Sequence, residues 1–165
     1  MLLKPDAASD SYIYAGRTRS LCMQLSHLFI ESPSARVIYA RFSKRSVWLL
    51  DATYKTNRYG LPLLHVVGIT STNATFTLCY CFMRNVTTAD YCWAMNKLKD
   101  LIYNWVITHQ LTFVTDRELA LMTALSELFP TTKALLCRWH ICKNIFAKQR
   151  TAFQAQEDFD HFIQD

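Results

Sequence analysis

Val47-Trp48-Leu49-Leu50-Asp51-Ala52-Thr53-Tyr54, closed by a turn at Asn57-Arg58-Tyr59-Gly60, is the stretch that decides the fold. The octapeptide is apolar and β-prone, yet it carries one carboxylate in its middle. Two further apolar runs follow, residues 61–70 and 74–83, joined by the polar Ser71-Thr72-Asn73. Connections this short make antiparallel neighbours, so the three runs read as a three-stranded meander. In the third run Phe76, Leu78, Tyr80 and Phe82 fall on one face, and Thr75, Thr77, Cys79 and Cys81 on the other.

Downstream the period changes from two to three or four. Thr87 and Thr88 are N-cap types, and Tyr91, Met95, Leu98, Ile102 and Trp105 give a long helix its buried stripe. Residues 111–115 form a short strand that runs into a helix striped by Leu121, Met122, Leu125, Leu128 and Phe129, with Pro130 at its end. Residues 133–138 make a fifth strand, and from Trp139 the chain is helical again. Upstream, residues 1–15 read as a loose arm. Residues 17–31 read as a helix through Leu21, Leu25, Leu28 and Phe29, ended by Ser32-Pro33-Ser34. Residues 37–42 read as a short strand. Three antiparallel strands and then alternating helix and strand specify an α/β fold, a mixed five-stranded sheet flanked by helices.

Length and composition agree with one domain. The chain has 165 residues, 51% of them apolar, 13% aromatic and 19% charged. That is enough apolar surface to offset the ordering entropy of most of the chain. The apolar runs fall well short of the ~20 residues needed to span a bilayer. Residues 1–10 hold one Lys, two Asp and no apolar block, so no secretory signal is read there and a secreted location is not expected. The six Cys mostly sit within apolar runs, where a free thiol behaves as a small hydrophobe; reduced cysteines are expected. Of the net charge of +5, +4 belongs to residues 1–46. That excess is compatible with a nucleic-acid partner and equally with an ordinary solvated surface.

Asp51 is costly inside a strand unless it is paired or faces a cation. Asp116 follows the strand at 111–115, and in a mixed sheet the two strands can be neighbours. Two converging carboxylates suit Mg²⁺ or Mn²⁺, hard ions that take oxygen ligands and serve phosphodiester chemistry. The plainer readings stand beside this. Thr115-Asp116-Arg117-Glu118 fits a capping box with Thr115 as N-cap, and Asp51 can pair with Lys55 or Arg58.

Four blocks together resemble a family. Leu50-Asp51-Ala52-Thr53-Tyr54-Lys55-Thr56-Asn57, with Tyr59-Gly60 and Leu61-Pro62-Leu63-Leu64, resembles the first catalytic strand of Mutator-like element (MULE) transposases. Tyr91-Cys92-Trp93-Ala94-Met95 resembles the family's helix motif. Val114-Thr115-Asp116 with Ala120-Leu121 resembles its second catalytic block. Leu136-Cys137-Arg138-Trp139-His140-Ile141-Cys142-Lys143-Asn144 resembles its Cys-x-x-His block. The resemblance implies an RNase H-like fold and two-metal DNA strand cleavage and transfer at transposon ends. Asp51 and Asp116 map onto the first two catalytic acids and metal ligands, and Cys137 and His140 onto the Cys-x-x-His motif. The third acid, a Glu, follows a largely helical insertion. The resemblance implies that residue 165 falls inside that insertion, so the core as it stands is truncated.

The expected organisation is therefore a basic arm with a helix at 1–46, the core at 47–146, and the start of the insertion at 147–165. DNA is the implied partner, with other transposase subunits as oligomer partners and no membrane. A nuclear location follows from the family alone. Lys55, Arg58, Trp139 and Lys143 are candidate nucleic-acid contacts, although core packing is the preferred reading of Trp139. Cys137-x-x-His140-x-Cys142 offers three zinc ligands where four are needed, with no second pair nearby, so zinc is not expected. The alternative function is a non-catalytic, transposase-derived DNA- or protein-binding module.

Overall fold

Strand alternation and long-range pairing build the centre of the molecule. The computed structural model describes residues 2–3, 13–17, 25–42, 47–54, 56–108 and 110–149. In chain order these give β1 (Leu2–Leu3), β2 (Ile13–Arg17), β3 (Leu25–Glu31), α1 (Ala35–Phe42), β4 (Val47–Thr53), β5 (Leu63–Ile69), β6 (Thr75–Phe82), α2 (Thr88–Asn104), β7 (Thr112–Thr115), α3 (Leu119–Leu128), β8 (Lys133–Leu136) and α4 (Arg138–Gln149). All eight strands join one mixed sheet, in the order β1-β2-β3-β6-β5-β4-β7-β8. β4, β5 and β6 form the expected antiparallel meander, and β7 and β8 add in parallel beside β4.

The five expected strands are present, and three more extend the sheet on the far side of β6. Residues 25–31, expected to be helical, are strand β3, paired antiparallel with β6. The loose arm expected at 1–15 contributes β1 and part of β2. Residues 18–24 of the expected helix lie outside the described residues, as do 150–165, where the start of an insertion was expected. Residues 37–42, expected as a strand, belong instead to helix α1. Its Ala35 and Tyr39, four apart, share one helical face and are both buried. The fifth strand is also shorter than expected, because Arg138 already opens α4.

The core lies between one sheet face and the helices α1, α2 and α3. Trp48 is fully buried at its centre. Its ring meets Tyr39 of α1 edge-on at 5.9 Å and Phe113 of β7 at 6.2 Å. Gly68 is the register partner of Trp48, and a Cβ there would come within 2.6 Å of the Phe76 ring, so any side chain at 68 would force that ring to shift. The strict alternation expected for β6 is broken. Val66 pairs with Cys79 while Val67 pairs with Thr77, which leaves Leu78 as the extra residue of a bulge. Leu78 and Cys79 are therefore both buried.

Helix α2 starts as its sequence predicts. Thr87 is the N-cap in a capping box with Asp90, whose carboxylate accepts from the Thr87 amide and hydroxyl. The same carboxylate accepts from His27 Nε2 of β3 at 2.7 Å, and Trp93 packs against the His27 ring at 4.8 Å. Burial alone would raise the Asp90 carboxyl, but the bonds from Thr87 and His27 outweigh it and hold it below its ordinary value. A depressed carboxyl contributes stability that is complete above its unfolded pKa, about 3.9, and is lost as pH falls through the folded value. Asp90→Ala is therefore expected to destabilise by about 2 kcal/mol at neutral pH. In thermal melts across pH, the gap between variant and wild type should close below pH ~4. A gap independent of pH would refute the brace.

Candidate functional site

Register brings the two carboxylates to neighbouring positions. β4 and β7 run parallel with Leu50 opposite Thr115, so Asp51 and Asp116 leave neighbouring strands at the same level. Alternation sends Trp48, Leu50, Phe113 and Thr115 into the core and directs Asp51 to the opposite face, while Asp116 follows directly on the end of β7. Asp51 is half exposed and does not pair with Arg58, whose guanidinium instead contacts Tyr59; Lys55 lies outside the described residues.

The Cys-x-x-His block reaches the same edge. The Cys137 amide donates to the Thr115 carbonyl at 2.8 Å, which ties the start of α4 to the end of β7. His140, one turn on, has its Nε2 3.8 Å from Asp51 Oδ1. That is an ion-pair distance for a protonated ring and too long for a hydrogen bond. His140 Nδ1 and Asp116 Oδ1 are both buried without a hydrogen-bond partner. The Asp116 carboxyl is raised, first by burial and then by repulsion from Glu118 and Asp51, while His140 and the Glu118 amide oppose the shift. A buried, unpaired oxygen on one of two converging carboxylates is the donor chemistry that a hard divalent cation takes. Beside these groups opens a cleft of about 570 Å³, walled by Asp116 and His140 and by the cations Arg117 and Lys148.

Three neighbours were not legible as site residues. Glu118, expected as N3 of a capping box, is itself the N-cap of α3 and makes no side-chain cap bond. Thr115 stays in β7, so it cannot cap the helix. Glu118 Oε2 instead accepts from the Tyr54 hydroxyl at 3.1 Å, which places a third carboxylate near Asp116. His65 faces Asp51 across the β4–β5 pair, stacks on Tyr80 at 4.6 Å and lies 3.0 Å from Thr77 Oγ1. Burial lowers its pKa and Asp51 only partly opposes this. A histidine in an apolar run opposite Asp51 was the available signal for it.

Trp139 is not core. Its side chain is 60% exposed, with Lys143 Nζ 4.7 Å from the ring centroid. Cys137 is half-buried at the cleft, whereas Cys142 is buried within α4. The described cysteines are all free thiols. Among the described residues no three His, Cys, Asp or Glu side chains are gathered closely enough to hold a metal ion, and no helix is long and apolar enough to cross a membrane.

Residues 47–144 match the family model of the MULE transposase domain. The chain is 32% identical over 106 residues to the PKS-NRPS hybrid synthetase cheA of Chaetomium globosum, across 64% of this chain and 2% of that protein. It is 24% identical over 140 residues to Protein FAR1-RELATED SEQUENCE 5 of Arabidopsis thaliana, across 82% of this chain and 17% of that protein. The chain thus spans only a small part of the length of either curated relative.

Proposed function

The chain belongs to the MULE transposase domain family, and from that premise we propose that it carries the carboxylate half of a metal-dependent centre for DNA strand cleavage and transfer. The observation that supports this most is the placement of Asp51 and Asp116 at one level on adjacent parallel strands, with His140 against Asp51. Asp51 and Asp116 would hold Mg²⁺ or Mn²⁺. Such an ion, when bound, makes water or a hydroxyl a stronger nucleophile and offsets charge on the leaving oxygen. His140, whose Nε2 lies 3.8 Å from Asp51 Oδ1, is placed to bond either to that carboxylate or to a phosphate oxygen. Arg117 and Lys148 supply the positive wall against which a phosphodiester backbone can lie. DNA at element ends is the proposed substrate, and joint action with other subunits is part of the same reading. Work on chromosomal DNA would require a nuclear location.

One observation favours the rival reading, a DNA-binding module without catalysis. Among the described residues no third ligand completes the pair. The test is Mn²⁺ binding, followed by titration and thermal shift, in wild type and in Asp51→Asn and Asp116→Asn. Wild type should respond and both variants should lose most of the response. An equal response in all three removes the metal site.

A further inference from the structure

Two aromatic rings stand in solvent along the sheet edge that carries the carboxylates. Trp139 is 60% exposed and Tyr59 69%. Each has a cation on its face: Lys143 Nζ lies 4.7 Å from the Trp139 centroid, and Arg58 Cζ lies 4.7 Å from that of Tyr59. The Trp139 ring also meets the His140 imidazole edge-on at 4.7 Å, and His140 in turn faces Asp51.

Topology sets the rings on opposite flanks of the acids. Tyr59 lies in the turn between β4 and β5. It lines a cleft of about 300 Å³ with Ser26, at the start of β3, and with Arg84 and Asn85, just past β6. Trp139 lies in the first turn of α4, just beyond β8. From the β4–β5 turn that carries Tyr59 to β8 the sheet takes two to three strand-to-strand steps, about 10–14 Å at ~4.8 Å each. At ~3.4 Å per stacked nucleotide that span corresponds to roughly three or four nucleotides.

An aromatic side chain can stack only on a base whose face is open. Inside an intact duplex each face is covered by the next base pair, and a duplex-binding surface meets the phosphates with cations and hydrogen-bond donors, not with ring faces. Rings alternating with cations are the chemistry of single-strand binding. We propose that this edge engages DNA with unpaired nucleotides on both sides of the scissile phosphate. Trp139 and Tyr59 are the stacking platforms, and Lys143, Arg58 and Arg84 the adjoining phosphate contacts. The proposal rests on the reading that DNA is the substrate.

The two claims separate in one experiment. Binding of the full chain is measured to an intact duplex and to the same duplex with its central bases mispaired, so that phosphate number is constant. The wild type should bind the mispaired form about tenfold more tightly. Trp139→Ala and Tyr59→Ala should each lose most of that preference, and Trp139→Phe should keep much of it. Lys143→Ala should weaken both forms alike and flatten the salt dependence. Equal affinity for both forms in the wild type, or a preference that survives both alanine variants, overturns the stacking proposal and leaves DNA binding intact. No binding to either form overturns the DNA reading and the stacking proposal with it.

Discussion

Under the proposed function, Asp116→Asn is expected to remove most metal-dependent strand cleavage and, at the same time, to make the metal-free domain more stable. The two effects share one cause. Burial and the charges of Glu118 and Asp51 raise the Asp116 carboxyl, so its ionised form is held at a cost in the folded chain. A carboxyl raised on folding weakens the fold as pH climbs from its unfolded pKa, about 3.9, through the folded value. The amide should therefore show a higher melting temperature than wild type at pH 7, with the difference gone below pH ~4. Mn²⁺ at a hundredfold excess over its dissociation constant should stabilise the wild type by about 2.7 kcal/mol, a shift of several degrees. It should do little for Asp116→Asn. Losing a carboxylate that offsets several kcal/mol of charge in the reaction should lower cleavage by about 10²–10³-fold or more. Asp51→Asn should lose the cleavage and the Mn²⁺ response to a similar degree. A variant that melts lower than wild type in metal-free buffer at pH 7 would contradict this account of Asp116.

Trp48→Ala tests the scaffold under that pair. Trp48 is fully buried three residues before Asp51, and it packs against α1 and β7 together. Truncating a buried Trp costs about 3–5 kcal/mol, a large share of a single domain's stability. The melting temperature should fall by roughly 10–15 °C. The indole Nε1 is buried without a hydrogen-bond partner. Trp48→Phe gives up that unsatisfied donor along with some volume, so it should cost far less than the alanine change. A phenylalanine variant as unstable as the alanine variant would mean that the indole N–H is satisfied after all.

The residues that could be read from sequence were those whose structure is local or set by a single alternation. Residues 47–83 show their strands because turn residues separate them, and Thr87 with Asp90 shows a helix start directly. β3 was not legible. Leu25, Leu28 and Phe29 suit helical spacing, and what makes the segment a strand is distant: its ladder to β6, and two polar bridges to α2 and the loop after it. One bridge joins His27 to Asp90. In the other, Trp105, 74 residues away, donates to the buried Glu31 carboxylate at 2.9 Å. α1 was missed because its β-branched residues suggest a strand, while its buried face is only Ala35 and Tyr39. At the site, the two aspartates could be anticipated as neighbours. Glu118 could not, because its spacing from Thr115 imitates a cap that β7 leaves no room for. The solvent position of Trp139 was also hidden. Sequence cannot show that all four residues of β8 are exposed, or that α4 buries little beyond Cys142.

That exposure makes the centre mechanically unequal. Asp51 stands in, and Asp116 directly follows, a strand whose alternate residues are locked into the core, so their backbones are held by the sheet. His140 and Trp139 stand on an outermost strand and a helix with almost no buried surface, and a segment of that kind opens locally at a small fraction of the global free energy. One wall of this edge is thus as rigid as the domain itself, and the opposite wall is the part that can open locally.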